Sequence, residues 1–87
     1  HMYTVYVLKS QKDLKLYYGF TKDLENRLSE HNTGQVKATK PRRPFVLIYS
    51  ENVDTVLEAR RKEKYFKSGF GRKYVQNRIK MALSSNG

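Results

Sequence analysis

The sequence contains no cysteine, and this absence excludes several kinds of chemistry. Disulfides, thiolate zinc sites, iron–sulfur clusters and thiol nucleophiles all depend on that residue. No apolar run approaches the roughly 20 residues of a membrane span, and no apolar signal region follows a basic start. We interpret residues 1–2 as a cloning remnant and the start methionine. We therefore expect a soluble, cytoplasmic domain that does not contact a membrane.

Acidic residues are scarce, since 8 Asp and Glu stand against 18 Lys and Arg and leave a net charge of +10. The 87 residues leave room for one small domain. A hydrophobic fraction of 38% is enough to build a core, so a disordered basic tail is not expected. The excess of positive charge predicts a polyanionic partner.

The basic residues are concentrated in two segments. Residues 35–44, here called the basic loop, contain Lys37, Lys40, Arg42 and Arg43 and no acid. Residues 60–80 contain nine basic residues, have Glu63 as their one acid, and are interleaved with aromatic residues. A charge run is often only a solvated face, but two one-signed segments with interleaved aromatics favour phosphate contacts with nucleic acid. Such contacts carry no sequence information directly.

The pattern of apolar and polar residues predicts an α+β domain. Strands are expected at 3–8, 16–20 and 45–49, and helices at 24–31, 55–67 and from 71 onward. Thr21 or Asp23 can cap the first helix, and Thr55 with Glu58 forms a capping box for the second. The predicted fold is a small three-stranded antiparallel sheet flanked by helices, in the order β-β-α-β-α-α. Residues 84–87 are expected to fray.

Glu63 is placed unusually for a charged residue. At about 100° per residue it falls within the apolar stripe of Val56, Ala59 and Phe66. A carboxylate facing a core is costly unless it is paired or binds a cation. It can therefore pair along the helix with Arg60 or Lys67, or act as a hard oxygen ligand for a metal such as Mg²⁺. Spacing alone leaves both alternatives open.

Arg27 and His31 lie about one turn apart on a flank of the first helix, and both are expected to point toward the sheet. Alternatively, Arg27 extends its stem over the apolar edge and His31 complements the helix dipole. The hairpin supplies Tyr6 and Tyr17. We expect the register in which paired residue numbers sum to an odd value, because it places both side chains on one face of the sheet. Gly19 leaves a flat spot that a ligand or another backbone can approach.

These residues, in this order, resemble the GIY-YIG nuclease family. The two tripeptides of that family correspond to residues 4–6 and 17–19, and Arg27, His31 and Glu63 fall on the helices that follow. The segment 67–72, Lys-Ser-Gly-Phe-Gly-Arg, is similar to the short, stand-alone bacterial branch. The resemblance spans residues 3–80, which we take as one domain.

The resemblance implies metal-dependent phosphodiester hydrolysis, with little sequence selectivity, in nucleic acid that is expected to be DNA. Glu63 would hold one divalent ion, Mg²⁺ or alternatively Mn²⁺, and Arg27 would clamp the phosphate. Tyr6 would position or deprotonate the water, Tyr17 would orient water or phosphate, and His31 would support Tyr6 or relay a proton. Which tyrosine is the base stays open.

We expect two banks of basic residues to hold the nucleic acid: Lys37, Lys40, Arg42 and Arg43 in one, and Lys67, Arg72 and Lys73 in the other. The chain is expected to be a monomer. The alternatives are a nucleic-acid-binding module whose site is weak or inactive, and an interaction protein with an acidic partner. The first alternative uses the same basic face, so only a cleavage assay separates it from a nuclease.

Overall fold

The strands and helices lie close to their predicted positions. The computed structural model describes residues 2–85, with side chains described as far as Met81. The elements are β1 (Tyr3–Ser10), β2 (Leu16–Thr21), α1 (Leu24–Thr33), β3 (Phe45–Val53), α2 (Val56–Lys67) and α3 (Gly69–Ser85). A short 3₁₀ helix, Lys40–Arg42, lies inside the basic loop. The three-stranded antiparallel sheet and the α+β class are confirmed.

The central strand of the sheet is β1, which pairs antiparallel with β2 on one side and with β3 on the other. A β-bulge between Val7 and Leu8 shifts the register with β3. Strand β3 continues to Val53, beyond the predicted end at Tyr49. The sequence did not predict this extension because Ser50 and Asn52 are polar. They are exposed on an edge strand, and their sequence pattern is also typical of a loop.

The middle of β1 is buried on both faces, because helices cover both sides of the sheet. Side chains alternate between the faces along a strand, so successive residues of β1 enter two different cores. One core, under α2 and α3, is built around Val5, Val7, Val53, Ala59, Phe66 and Val75. The other, under α1, is built around Tyr6, Leu8 and Phe45, with Tyr17, Leu24 and Leu28 packed on it. The α1 face therefore carries the two candidate tyrosines.

Local signals fix the ends of the helices. Asp23 caps α1 by accepting a hydrogen bond from the backbone of Asn26, and Gly34 ends it in the left-handed conformation with a φ of 84°. Thr55 caps α2 by accepting from the backbone of Glu58, as the capping box predicts. The last helix starts at Gly69 instead of Gly71. A side chain at Gly71 would collide with the Tyr65 carbonyl, so glycine lets α3 begin tightly against the end of α2.

A buried serine ties the turn between β1 and β2 (residues 11–15) to the basic loop. Ser10 is fully buried, and its hydroxyl donates to the Arg42 carbonyl at 2.6 Å. The same oxygen accepts from the backbone N–H groups of Lys12 and Asp13. The Arg42 side chain completes the connection, since its Nε lies 2.8 Å from Asp13 Oδ2. The turn and the loop are thus held together as one unit.

None of the helices in the described part of the chain is long and apolar enough to cross a membrane. The domain limits of 3–80 stay a prediction. Fraying of residues 84–87 also stays a prediction, and the helix α3 includes the first two of these residues, Ser84 and Ser85. Residues 1, 86 and 87 lie outside the described residues.

The Asp13–Arg42 ion pair predicts a specific pH dependence of stability. Chiefly through its hydrogen bond with Arg42, the pKa of Asp13 falls from 3.8 to about 2. A lowered carboxyl pKa stabilises the fold fully above the unfolded value, and that stabilisation is lost as the pH falls through the folded value. The melting temperature of wild type should therefore exceed that of Asp13→Asn at pH values above 3.8. The difference between the two melting temperatures should vanish as the pH approaches 2.

The control is Asp54→Asn, which removes one exposed carboxylate that forms no ion pair among the described residues. Its melting temperature, followed by circular dichroism, should track wild type across the same range. A difference between wild type and Asp13→Asn that does not change with pH would contradict the assignment.

Candidate active site

The two candidate tyrosines of the hairpin share one face of the sheet. Leu8 is paired with Tyr17 and Tyr6 with Gly19, so paired numbers sum to an odd value. Directly opposed residues of an antiparallel pair lie on the same face, and Tyr6 and Leu8 are two residues apart. The predicted shared face is confirmed.

Gly19 allows the Tyr6 side chain to lie across β2. A Cβ at Gly19 would be 2.5 Å from the Tyr6 hydroxyl oxygen and 2.7 Å from the ring carbon that bears it. Any larger residue would therefore displace the phenol. The sequence predicted a flat spot for a ligand or another backbone at this position, but the spot is filled by a side chain of the same domain.

A chain of hydrogen bonds runs inward from the Tyr6 hydroxyl. The hydroxyl lies 3.1 Å from Nε2 of His31, and Nδ1 of His31 lies 2.8 Å from Oγ1 of Thr39. The Thr39 hydroxyl also lies within 3.3 Å of the Val36 carbonyl, to which it donates. Tyr6, His31 and Thr39 are all buried. Thr39 has no periodic signal in the sequence, which is why sequence analysis missed it.

The direction of these bonds follows from satisfying each donor. Thr39 has one proton, and donating it to Val36 leaves Oγ1 free to accept from the Nδ1–H of His31. Nε2 then carries the lone pair that accepts the Tyr6 proton. In the opposite tautomer the Tyr6 proton would have no acceptor among the described side chains. His31 is therefore assigned as a neutral imidazole protonated on Nδ1.

Aromatic contacts and one amide hold His31 in place. Its ring centroid lies 5.0 Å from that of Tyr17 and 6.0 Å from that of Phe45. The next residue, Asn32, donates to the Phe45 carbonyl at 3.1 Å and accepts from its N–H at 2.7 Å. This two-point bond fixes the end of α1 against the start of β3. The imidazole therefore has little freedom to turn away from Tyr6.

Burial keeps both members of the Tyr6–His31 pair neutral. It raises the pKa of Tyr6 above its ordinary value of 10.0, although the guanidinium of Arg27 acts in the opposite direction. Burial also lowers the pKa of His31 below 6.5, and the Arg27 charge lowers it further, while Glu30 opposes both. Arg27 therefore favours ionisation of Tyr6, but its effect does not outweigh burial of the phenol.

Arg27 lies beside the Tyr6 hydroxyl at the rim of the site. The interaction with that hydroxyl is the main cause that raises the pKa of Arg27. One guanidinium nitrogen also donates to Glu30 at 3.1 Å, and about a third of the side chain (36%) is exposed. Arg27 is thus held in place while still open to an anion from solvent.

Glu63 pairs with Lys67, one turn along α2, at 3.5 Å, as one of the two alternatives predicted. The carboxylate side chain is 24% exposed and that of Lys67 is 55% exposed. Because Lys67 is more than half exposed, loss of the pair would leave its cation in water. An i,i+4 pair on a helix contributes only about 0.3–0.5 kcal/mol. The carboxylate also lies close enough to Tyr6 to help raise its pKa, which places Glu63 near the phenol.

The Glu63 carboxylate fits a metal ion that would be shared with a substrate. Within the part of the chain that the structure describes, no three His, Cys, Asp or Glu side chains cluster as ligands. Glu63 alone is a half-buried hard oxygen donor near Tyr6. Mg²⁺ keeps several waters and often binds through one or two carboxylates plus substrate phosphates, so one carboxylate suits it.

The first predicted bank of basic residues divides into two groups. Lys37, Lys40 and Arg43 line a common cleft, together with Lys12, which sequence analysis missed. Arg42 is not among the lining residues. Its guanidinium is bonded to Asp13 and to the Leu16 carbonyl instead, so it connects the turn to the loop.

The second bank is dispersed. Lys67 is paired with Glu63, Lys73 is exposed on α3, and Arg72 lines a groove beside Tyr18. Tyr18 packs against the core under α2 and α3, whereas Tyr17 packs against the core under α1, on the other face of the sheet. Two backbone N–H groups in the first turn of α3 are not free to bind a phosphate, since Gly71 donates to Oγ of Ser68 and Arg72 donates to the Ser68 carbonyl.

Comparison with protein families finds one match that covers most of the chain. The GIY-YIG catalytic domain matches residues 2–77. Tyr6, Tyr17, Arg27, His31 and Glu63 all fall inside that range.

Relatives of known sequence are UPF0213 proteins. One from Staphylococcus saprophyticus is 46% identical over 65 residues, covering 74% of this chain and 78% of its own length. Another, from Staphylococcus haemolyticus, is 44% identical over 78 residues, covering 88% and 89%. The solution NMR structure of a UPF0213 protein from Bacillus halodurans aligns with a TM-score of 0.54 and 29% identity, covering 88% of this chain and 84% of that one.

The hydrogen bonds of Thr39 predict that it fixes the tautomer of His31. Thr39→Val keeps the branched shape but removes the acceptor for Nδ1–H, so the imidazole should lose its preference for that tautomer. Leaving a buried donor unpaired should also lower stability by about 1–3 kcal/mol. Thr39→Ser keeps the hydroxyl and should preserve the wild-type tautomer. Nitrogen-15 chemical shifts of the imidazole report the result, and a valine variant with an unchanged tautomer would refute the assignment.

Proposed function

The chain belongs to the GIY-YIG nuclease family, and from that premise we propose that it hydrolyses phosphodiester bonds in nucleic acid, with DNA as the expected substrate. The observation that carries the proposal is the buried Tyr6–His31 hydrogen bond with Arg27 beside it. A purely structural tyrosine needs one partner for its hydroxyl. Here the phenol has a neutral proton acceptor on one side and a cation, partly open to solvent, on the other.

Arg27 is the proposed phosphate clamp. Its guanidinium can donate hydrogen bonds to a phosphate oxygen that arrives from solvent without leaving the Tyr6 hydroxyl. As the attacking oxygen approaches phosphorus, negative charge grows on the non-bridging oxygens. A fixed guanidinium stabilises that charge through charge-assisted hydrogen bonds. Glu30 keeps the side chain extended toward the site before substrate arrives.

Tyr6 and His31 act together on the attacking water. The raised pKa of Tyr6 leaves very little phenolate at neutral pH. We assign the phenol as a relay: its oxygen takes a proton from the water as its own proton passes to Nε2 of His31. The water oxygen then bonds to phosphorus, and the bond from phosphorus to the leaving oxygen breaks with its electron pair on that oxygen. The leaving oxygen takes a proton from solvent, and His31 later returns its extra proton to solvent through Tyr6. Tyr17, against the His31 ring, orients water or phosphate.

Glu63 is the proposed metal ligand, since GIY-YIG nucleases are generally divalent-metal dependent. A bound divalent ion, Mg²⁺ or Mn²⁺, would supply charge stabilisation to the phosphate and the leaving oxygen. Glu63 can leave Lys67 at little cost, because the Lys67 end of that ion pair is more than half exposed and stays hydrated without it. In the resting protein, Lys67 would then neutralise the carboxylate.

The Glu63→Gln variant tests the metal-binding role. Nicking of supercoiled DNA in Mg²⁺ or Mn²⁺ should fall more than about 100-fold, the loss of several kcal/mol of charge stabilisation. Folding and DNA binding should persist, because the exposed pair adds little stability. Lys67→Gln breaks the same ion pair but keeps the carboxylate, so at saturating substrate it should still cleave, with a raised KM.

Equal loss of cleavage in both variants would assign Glu63 to ion pairing only. Full activity in Glu63→Gln would remove it from the mechanism. A wild-type protein that binds DNA but cleaves none in either metal, with EDTA as the blank, would support the binding-module alternative.

The proton relay predicts the pH dependence of the rate. His31 must be neutral to accept a proton, and its pKa lies below the ordinary 6.5. At saturating DNA and metal, kcat should rise with pH through that lowered pKa and then stay level through neutral pH. If Tyr6 phenolate were the base, kcat would instead keep rising about tenfold per pH unit toward the raised pKa of Tyr6. Single-turnover rates across the pH range separate the two mechanisms.

A further inference from the structure

A cleft of about 620 Å³ opens between the β1–β2 turn and the basic loop. Its lining residues are Lys12, Lys37, Lys40, Pro41, Arg43 and Pro44. We call it the basic cleft. None of the five candidate catalytic residues lines it, so it is a separate feature from the site around Tyr6.

The basic cleft carries charge of one sign. Four of its six lining residues are cationic and none is acidic. The acid of the adjacent turn, Asp13, is bonded to Arg42 at 2.8 Å and so does not neutralise the lysines. A concave surface of one charge concentrates the electrostatic field and attracts ions of the opposite charge.

The two walls of the cleft are tied together before any ligand arrives. The turn donates from Gln11 N to the Pro44 carbonyl at 2.8 Å, and Ser10 donates to the Arg42 carbonyl at 2.6 Å. Arg42 closes the connection through Asp13. A flexible loop would have to become ordered on binding, which costs free energy; a preformed site avoids that cost.

Arg43 is also fixed in the wall. Its Nε donates to the Lys40 carbonyl at 2.9 Å, and its guanidinium passes over Gly34. A Cβ at Gly34 would lie 2.7 Å from Nη1 of Arg43. The glycine that ends α1 therefore also leaves room for this side chain.

The chemistry of the lining indicates what the cleft can bind. No aromatic side chain lines it, so it has no surface on which a base could stack. Lysine and arginine side chains bind phosphate oxygens without reading sequence. A volume within the roughly 300–1,000 Å³ of ligand sites is too large for a single ion. These features fit a stretch of phosphate backbone.

We propose that the basic cleft binds backbone phosphates of the nucleic-acid strand that enters the Tyr6 site. Lys12, Lys37, Lys40 and Arg43 make the contacts, whereas Arg42 holds the cleft in shape. The loop joins the two places, because Thr39 contacts His31 and the adjacent Lys40 lines the cleft. This inference rests on the proposed function only for its class of substrate, nucleic acid, and not for cleavage.

The test measures binding without cleavage. A fluorescein-labelled DNA duplex is titrated with protein in EDTA over a series of salt concentrations, and affinity is read by anisotropy. The Lys12→Gln/Lys40→Gln double variant removes two proposed contacts. The matched control, Arg61→Gln/Lys80→Gln, removes two exposed charges from α2 and α3, which cover the opposite face of the sheet. Thermal melting confirms that both variants fold.

For the cleft variant, the slope of log affinity against log salt should fall by about 1 for each lysine removed. The control should keep a slope near that of wild type. Equal losses in both variants would show that the cleft adds only net charge, and no loss in either would remove it from binding; each result overturns the proposal. If polyglutamate displaces the labelled duplex as effectively as unlabelled DNA does, the proposal is also overturned, in favour of an acidic protein partner.

Failure of this proposal can be distinguished from failure of the proposed function. Because binding is measured without metal, a wild-type protein that cleaves nothing leaves the result intact. A cleft variant that binds as well as wild type overturns the cleft alone. A wild-type protein that does not bind nucleic acid overturns both.

Discussion

Tyr6 is buried on the central strand of the sheet, and much of the architecture around its hydroxyl serves to satisfy that one group. A buried polar group without a hydrogen-bond partner costs several kcal/mol. His31 provides the partner, so α1 must end against the strand. His31 in turn needs Thr39, so the basic loop must fold back beneath the helix. Gly19 must stay small because the phenol lies across it.

The pair at the centre of the site is electrically neutral, and charges lie around it. Burial disfavours the charged form of either partner, which raises the pKa of Tyr6 and lowers that of His31. A phenol bonded to a neutral imidazole can pass a proton inward while it receives one from outside. In the proposed function, Arg27 on the rim and Glu63 on α2 would supply the opposite charges that an incoming phosphate and a cation require. In the proposed mechanism, proton transfer and charge stabilisation are therefore carried out by different groups.

Basic residues close together in the sequence have different tasks in the fold. Arg42 forms an ion pair, a backbone hydrogen bond and a contact over the Phe45 ring, which commits it to structure. Lys40 and Arg43, beside it in the sequence, line the basic cleft. Composition predicted the positive surface correctly, but only neighbouring groups decide which cation remains available to a ligand.

The sequence by itself determined the element order, the sheet, the helix caps and the shared face of Tyr6 and Tyr17, because these depend on local periodicity and short-range hydrogen bonds. Only the tertiary structure revealed Thr39 and Lys12, and only it chose Lys67 as the partner of Glu63. Residues 12 and 37–43 meet because Ser10 joins a turn to a distant loop. Contacts between segments without periodicity leave no pattern along the chain, so folding alone brings them together.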